Sequence, residues 1–228
     1  MIKYPKTATE RFDQADLHIS YVLLFVKKFI KGKILEVGAG CGSFTKKYVK
    51  LIDNSLTLTD LDEYNFKNLK KIFLKKKVRV LKKKIFQINE NFNTIMYFHV
   101  LEHIKNDMKE IEEISKKLTT SGFLIIVVPA HQKLFSNLDS AVGHCRRYNK
   151  DFFKKKFFKL ERIDLKYLDI TGYILYFLNK IFYKKETFPS KLKIFIWDKF
   201  FTPLSFILDF LTNYRFGKCI IAVYKKNI

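Results

Sequence analysis

Ile34-Leu35-Glu36-Val37-Gly38-Ala39-Gly40-Cys41-Gly42-Ser43-Phe44-Thr45 constrains the fold more than any other stretch of this chain. It reads as a buried apolar strand, a glycine turn and the start of a helix. Three glycines at alternate positions let the backbone turn tightly and come close to a ligand. The free amides at the following helix start favour a carboxylate or phosphate there. A nicotinamide-type turn would want Gly-x-Gly-x-x-Gly, and the third glycine here comes one residue early.

Around this turn the chain alternates apolar runs with amphipathic stretches. Strands are predicted at Ile34–Val37, Leu56–Thr59, Val78–Leu81, Thr94–Val100, Phe123–Val128, Leu160–Leu168 and Cys219–Tyr224, the last two pairing. Continuous runs such as Phe123 to Val128 mark strands covered on both faces, as parallel α/β sheets require. Helices are predicted over Asp16–Lys31, with Leu17, Tyr21, Leu24, Phe25 and Ile30 inward, over Asp107–Leu118 and over Phe152–Phe158. Asp60 ends the second strand twenty residues beyond Gly40, the spacing at which an acid binds ribose hydroxyls in Rossmann-type sites. Asp62 is the near alternative, or a helix cap.

Gly38, Gly40 and Gly42 after Glu36, then Asp60, then Tyr97-Phe98-His99-Val100-Leu101-Glu102-His103-Ile104 together resemble the class I S-adenosylmethionine-dependent methyltransferases. The resemblance covers roughly Gly32 to Val128. It implies an α/β, Rossmann-like three-layer sandwich with a mostly parallel seven-stranded sheet, an antiparallel last strand and a helical insertion before it. S-adenosylmethionine is the cofactor it implies and S-adenosylhomocysteine the product. Glu36 would engage the methionine amino end and the loop Gly38, Ala39, Gly40 and Gly42 the carboxylate and ribose. Asp60 with Leu61 would hold the nucleoside, and His99 and Val100 would border the methyl group. Glu102 and His103 are expected to cap and orient the next helix rather than act directly. The third strand departs from the pattern: Leu81-Lys82-Lys83-Lys84 offers no acid for the adenine.

Downstream, Pro129-Ala130-His131, Asp139 and Gly143-His144-Cys145-Arg146-Arg147-Tyr148 lie on the loop that leaves the fifth strand, where acceptors bind in such sheets. The pattern is similar to a bacterial subgroup of these enzymes found near genes for surface-glycan assembly. His144 or His131 is the candidate base and Asp139 its orienting partner. Arg146 and Arg147 either clamp an anionic acceptor with Tyr148 nearby, or pair with local carboxylates to hold the loop.

Domain organisation is read as a single domain of 228 residues: 1–31 a covering helix, 32–170 the cofactor-binding core, 171–218 an aromatic-rich insertion and 219–228 the last strand. Pro189 and Thr202-Pro203 divide the insertion into two or three helices. It caps the acceptor pocket, packs over the sheet edge, or lies on anionic lipid with its lysines toward the headgroups. Cys41, Cys145 and Cys219 show neither disulfide nor metal-ligand spacing, so no metal is expected. With no apolar export core in Met1 to Glu10, a cytoplasmic place is expected, reaching to the inner face of a membrane if the insertion docks there.

The net charge of +22 invites nucleic acid or acidic lipid. Yet only six of the 44 basic residues are Arg, the pattern of AT-rich codon drift as much as of function. The preferred acceptor is an oxygen on a small molecule, a glycan or a lipid-linked sugar. An RNA acceptor ranks behind, because His99-Val100-Leu101-Glu102 stands where RNA amino methyltransferases place an Asn-Pro-Pro-Tyr motif. A third reading is a silent cofactor-binding or membrane-adaptor protein.

Overall fold

The computed structural model describes residues 14–52, 55–74, 77–157, 159–182 and 189–227. Met1 to Glu10, part of the Lys75–Lys77 cluster and the end of the helix predicted at Phe152–Phe158 lie outside them. Seven strands form one sheet: β1 (Ile34–Val37), β2 (Leu56–Thr59), β3 (Val78–Leu81), β4 (Phe92–Phe98), β5 (Leu118–Pro129), β6 (Leu160–Leu168) and β7 (Cys219–Lys226), in the spatial order β3-β2-β1-β4-β5-β7-β6. All run parallel except β7, which pairs antiparallel with both β5 and β6.

The sheet is buried on both faces, which explains the unbroken apolar runs. Leu124, Ile126 and Val128 of β5 enter one core with Ile111 and Ile114, while Phe123, Ile125 and Val127 enter the other with Val22, Tyr48 and Leu69. The flanking helices are α1 (Asp16–Val26), α2 (Ser43–Tyr48), α3 (Glu63–Ile72), α4 (Asp107–Lys117), α5 (Asn137–Ala141) and α6 (Lys150–Lys154). Asp62 caps α3 by accepting the Asn65 N–H at 2.9 Å. Asn106 caps α4 through the Lys109 N–H, with acids in the first turn and lysines in the last to complement the helix dipole.

Three expectations shift. β4 stops at Phe98 because His99 adopts a positive φ of 55°, which breaks strand geometry. The helix predicted at Phe152–Phe158 ends at Lys154, and Phe157 instead bridges to Leu160. In α1 the buried stripe is His18, Ile19, Tyr21, Val22, Leu23 and Val26, while Leu17 and Leu24 are exposed. That rotation follows from partners at the far end of the chain, in the insertion.

The insertion folds as α7 (Ile170–Phe182), α8 (Lys191–Ile196), a π-helical stretch (Trp197–Phe201) and α9 (Thr202–Leu211). Pro203 sits in the first turn of α9, where its missing N–H is harmless. Buried carboxylates bolt these helices down. Asp198 accepts the free Leu17 and His18 N–H groups at the start of α1, at 3.2 and 2.9 Å. Asp209 accepts from the Asp169 and Ile170 amides and from the Tyr21 hydroxyl. Among the described residues no helix is long and apolar enough to cross a membrane.

Candidate active site

In the strand order, the chain reverses direction after β3 and returns to lay β4 against β1. The crevice beyond the carboxyl ends of these two strands is where such sheets bind ligands, and both edges of it carry the expected residues. Gly38 has φ 65°, and a Cβ there would come within 2.7 Å of a Val100 methyl, so the loop after β1 and the turn after β4 approach as closely as only glycine permits. Gly40 also has positive φ, 56°, but a Cβ on it would meet nothing within 4 Å. Its backbone fronts open space, where a ligand can lie against it.

Two carboxyls line this loop. Asp60 accepts the Gly40 N–H at 2.8 Å and the Asp62 N–H at 2.9 Å, which ties the glycine turn to the end of β2. Glu36 is buried in β1 and accepts from the Thr45 and Tyr48 hydroxyls of α2, each at 2.5 Å. Burial pushes the Glu36 carboxyl up to about 7, against the pull of those two hydroxyls. Burial likewise raises Asp60, although the amides it accepts from work in the opposite sense. These partners are all neutral donors. A ligand with an ammonium or sulfonium charge and vicinal hydroxyls supplies what the two acids lack, so the donor set fits the expected sulfonium nucleoside. Leu61 is exposed at the rim beside Asp60.

The loop after β5 folds against the turn after β4. Asp139 is buried at the third position of a capping box on Ser136, and its Oδ1 lies 2.7 Å from His144 Nδ1. Its two oxygens also accept from Arg147 Nε at 3.0 and 2.9 Å. Burial would raise this carboxyl, but the His144 hydrogen bond and the Arg147 charge hold it down at about 2. Tyr176 of α7 completes the knot: its ring lies 4.3 Å from the Arg147 guanidinium and its hydroxyl reaches Asp139 at 3.2 Å. The insertion therefore touches the loop after β5 directly, a contact that nothing in the local pattern around Tyr176 announces.

His144 Nε2 points toward Glu102, 3.9 Å from its Oε1, and His99 Nδ1 lies 3.6 Å from the same oxygen. Glu102 is fully buried. Burial pushes its carboxyl up, yet the facing His99, His144 and His103 imidazoles outweigh that and hold it below its ordinary value. Burial lowers His103, whose Nδ1 contacts the Gly143 carbonyl. Glu102 and His103 occupy a short turn, Leu101–His103, and the following helix is capped by Asn106. The expectation that this pair caps the helix is therefore corrected: the two side chains turn inward to the histidine cluster, leaving the cap to a better-placed Asn.

The structure thus brings together Glu36, the loop Gly38 to Gly42, Asp60 and Val100 on one side, and His99, Glu102, His103, Asp139 and His144 on the other. His131 is held differently, with Nε2 against the Gly217 carbonyl and its ring stacked on Tyr167. Arg146 is engaged by Asp107 and by the Lys105 carbonyl at 2.7 Å, and Tyr148 is buried with its hydroxyl on Asp107 and Leu101. Of the two readings of Arg146, Arg147 and Tyr148, the geometry favours holding the loop.

Residues 10–162 match the methyltransferase-domain family. Among solved structures of similar fold, a chain of the complex between the Haloferax volcanii Trm112 methyltransferase activator and its methyltransferase has a TM-score of 0.65 at 9% identity, covering 98% of this chain and 96% of that one. Coclaurine N-methyltransferase, solved with N-methylheliamine and S-adenosylhomocysteine, gives 0.62 at 14% identity, covering 91% and 72%. Haemonchus contortus phosphoethanolamine N-methyltransferase 2, solved with S-adenosyl-L-methionine, gives 0.60 at 17% identity, covering 92% and 53%. No curated protein matches the chain. The chain belongs to the methyltransferase-domain family, class I enzymes whose methyl donor is S-adenosylmethionine.

Proposed function

We propose that this methyltransferase acts on an oxygen nucleophile, a hydroxyl or carboxyl on a small molecule, a glycan or a lipid-linked sugar. The observation that carries this reading is the Asp139–His144 pair, 2.7 Å apart on the loop that packs against the turn after β4. An uncharged amine attacks with a free lone pair and a carboxyl attacks already ionised, whereas a hydroxyl must shed a proton as it attacks, so among these acceptors a carboxylate-oriented imidazole suits the hydroxyl best. When bound, S-adenosylmethionine supplies a methyl group activated by a sulfonium. Glu36 would pair with its ammonium, Asp60 would accept its ribose hydroxyls, and Gly38, Ala39, Gly40 and Gly42 would let the backbone lie alongside. His99 and Val100 would border the methyl, and Leu61 the rim. His144 would take the acceptor's proton while Asp139, anchored by Arg147, fixes its tautomer. The rest of the work is alignment and exclusion of water.

A specific observation favours a membrane-presented acceptor. Phe200, Phe210 and Leu211 of the insertion are 68, 69 and 70% exposed, with Leu192 and Phe195 also open. Large apolar side chains left in water on a chain of net charge +22 suit a peripheral contact with anionic lipid. The test is to incubate the protein and labelled S-adenosylmethionine with separated lipid, glycan, RNA and small-molecule fractions of host extract. Label stable at a methylated oxygen in the lipid-linked or glycan fraction is expected. Label confined to RNA would overturn the reading.

A further inference from the structure

Both carboxylate oxygens of Glu102 are buried and accept no hydrogen bond, on a side chain with no exposed surface. Buried charges in proteins are ordinarily paired or bound to a metal. The imidazoles around this one are already oriented by other groups. His144 Nδ1 lies 2.7 Å from an Asp139 oxygen, and His103 Nδ1 lies 3.2 Å from the Gly143 carbonyl. Both partners are acceptors, so each Nδ1 carries a hydrogen, and in the neutral ring that an ion would select Nε2 is the nitrogen with the lone pair. An imidazole whose second nitrogen is fixed by a carboxylate or a backbone carbonyl is the usual state of a metal-ligating histidine.

One ligand atom each from Glu102, His103 and His144 lie within 4.8 Å of one another. An ion with bonds of about 2.0–2.2 Å would close this set by side-chain movements of roughly 1 Å. We propose that Glu102, His103 and His144 form a binding site for a divalent transition-metal ion, with His99 at its open side. Two imidazoles and one carboxylate favour zinc or a neighbouring late first-row ion over magnesium, and leave positions for water or an acceptor oxygen. The sequence concealed the site because His144 lies on a different loop from the Glu102-His103 pair, so no ligand spacing was there to read.

The chemical consequence rests on the oxygen-acceptor reading; the site does not. An acceptor hydroxyl on the ion would lose its proton to solvent, and the oxygen lone pair would form the new bond to the methyl carbon. The carbon–sulfur bond would break with its electron pair left on sulfur. His144 would then be a ligand, and the ion would take over the activation assigned to it above.

The test uses untagged full-length protein stripped by a chelator, with neither cofactor nor acceptor present. Titration with Zn²⁺ by calorimetry and with Co²⁺ by visible absorption should each saturate at one equivalent, and Mg²⁺ should not compete at equal concentration. Glu102→Gln keeps the side chain's size and removes the buried charge, so it should fold, as checked by circular dichroism, and lose the saturable site. His103→Ala should lose it too. No one-equivalent binding in the parent protein, or binding retained by Glu102→Gln, would overturn the proposal. A protein that binds no metal and still methylates oxygen would sink the site and spare the acceptor reading. A metal-binding protein that methylates nitrogen would do the reverse.

Discussion

Replacing Glu36 by Gln should make the cofactor-free protein more stable at alkaline pH and the cofactor bind less well. The carboxyl sits at about 7 rather than its ordinary 4.5, chiefly because burial opposes its charge. A raised folded-state value means a stability contribution that is complete below the ordinary value and lost as pH rises through about 7. At 1.36 kcal/mol per unit, the wild-type protein should lose roughly 2–3 kcal/mol relative to Glu36→Gln between about pH 5 and about pH 8. For a chain of this size that is roughly 5–10 °C in the relative unfolding midpoint. Gln retains an oxygen to accept from Thr45 and Tyr48, so packing changes little. Its amide hydrogens cannot pair with an ammonium, however. Wild-type affinity for S-adenosylhomocysteine should therefore rise as pH is raised toward about 7 and then level, with a proton released on binding, while that of the variant stays low and flat. Thermal melts of both proteins across this range, with calorimetry in two buffers of different ionisation enthalpy, read all of it. Parallel stability curves would refute the claim that this carboxyl is desolvated at the head of the crevice.

Three further outcomes follow from the same geometry. Asp60→Ala should weaken cofactor binding by about 3 kcal/mol, roughly 100-fold, if its oxygens accept the ribose hydroxyls; an unchanged dissociation constant in calorimetry would refute that. Gly38→Ala must hold both a positive φ and a contact of 2.7 Å with Val100, whereas Gly40→Ala has the φ alone. The first should therefore lower the melting temperature distinctly more than the second, while the Gly40 variant should still lose cofactor affinity; equal melting temperatures would count against the close approach. Replacing Phe200, Phe210 and Leu211 together by Ser should abolish co-sedimentation with anionic vesicles and leave the melting temperature nearly unchanged, since these side chains are already exposed. Vesicle binding that survives the triple change would remove the lipid-docking role from this face.

Much of the fold was legible in the sequence because its signals are local. A strand buried on both faces must be apolar throughout, and Phe123 to Val128 obeys that without reference to any partner. A turn with positive φ beside a strand favours glycine, and Gly38, Gly40 and Gly42 all adopt it. Asp60 stands twenty residues beyond Gly40 because the intervening helix and strand have set lengths, and in the structure its carboxylate does reach the Gly40 amide. The division of the insertion at Pro203 was readable for the same reason, whereas the antiparallel direction of β7 was expected only from the family resemblance.

The candidate acceptor side was not legible at that range. His144 and His131 looked alike as histidines on one loop, and only the folded chain sets one against Asp139 and Glu102 and the other against Tyr167 and Gly217. Glu102 read as a helix cap because its neighbours in sequence are all that a pattern sees; its burial depends on a loop some forty residues away. The inward face of α1 was likewise chosen by Asp198 and Asp209 near the opposite end of the chain. Periodicity and backbone dihedrals are properties of a few consecutive residues and are therefore written in them. Which carboxylate meets which imidazole depends on how the elements pack, and that is decided only when distant segments exclude water together.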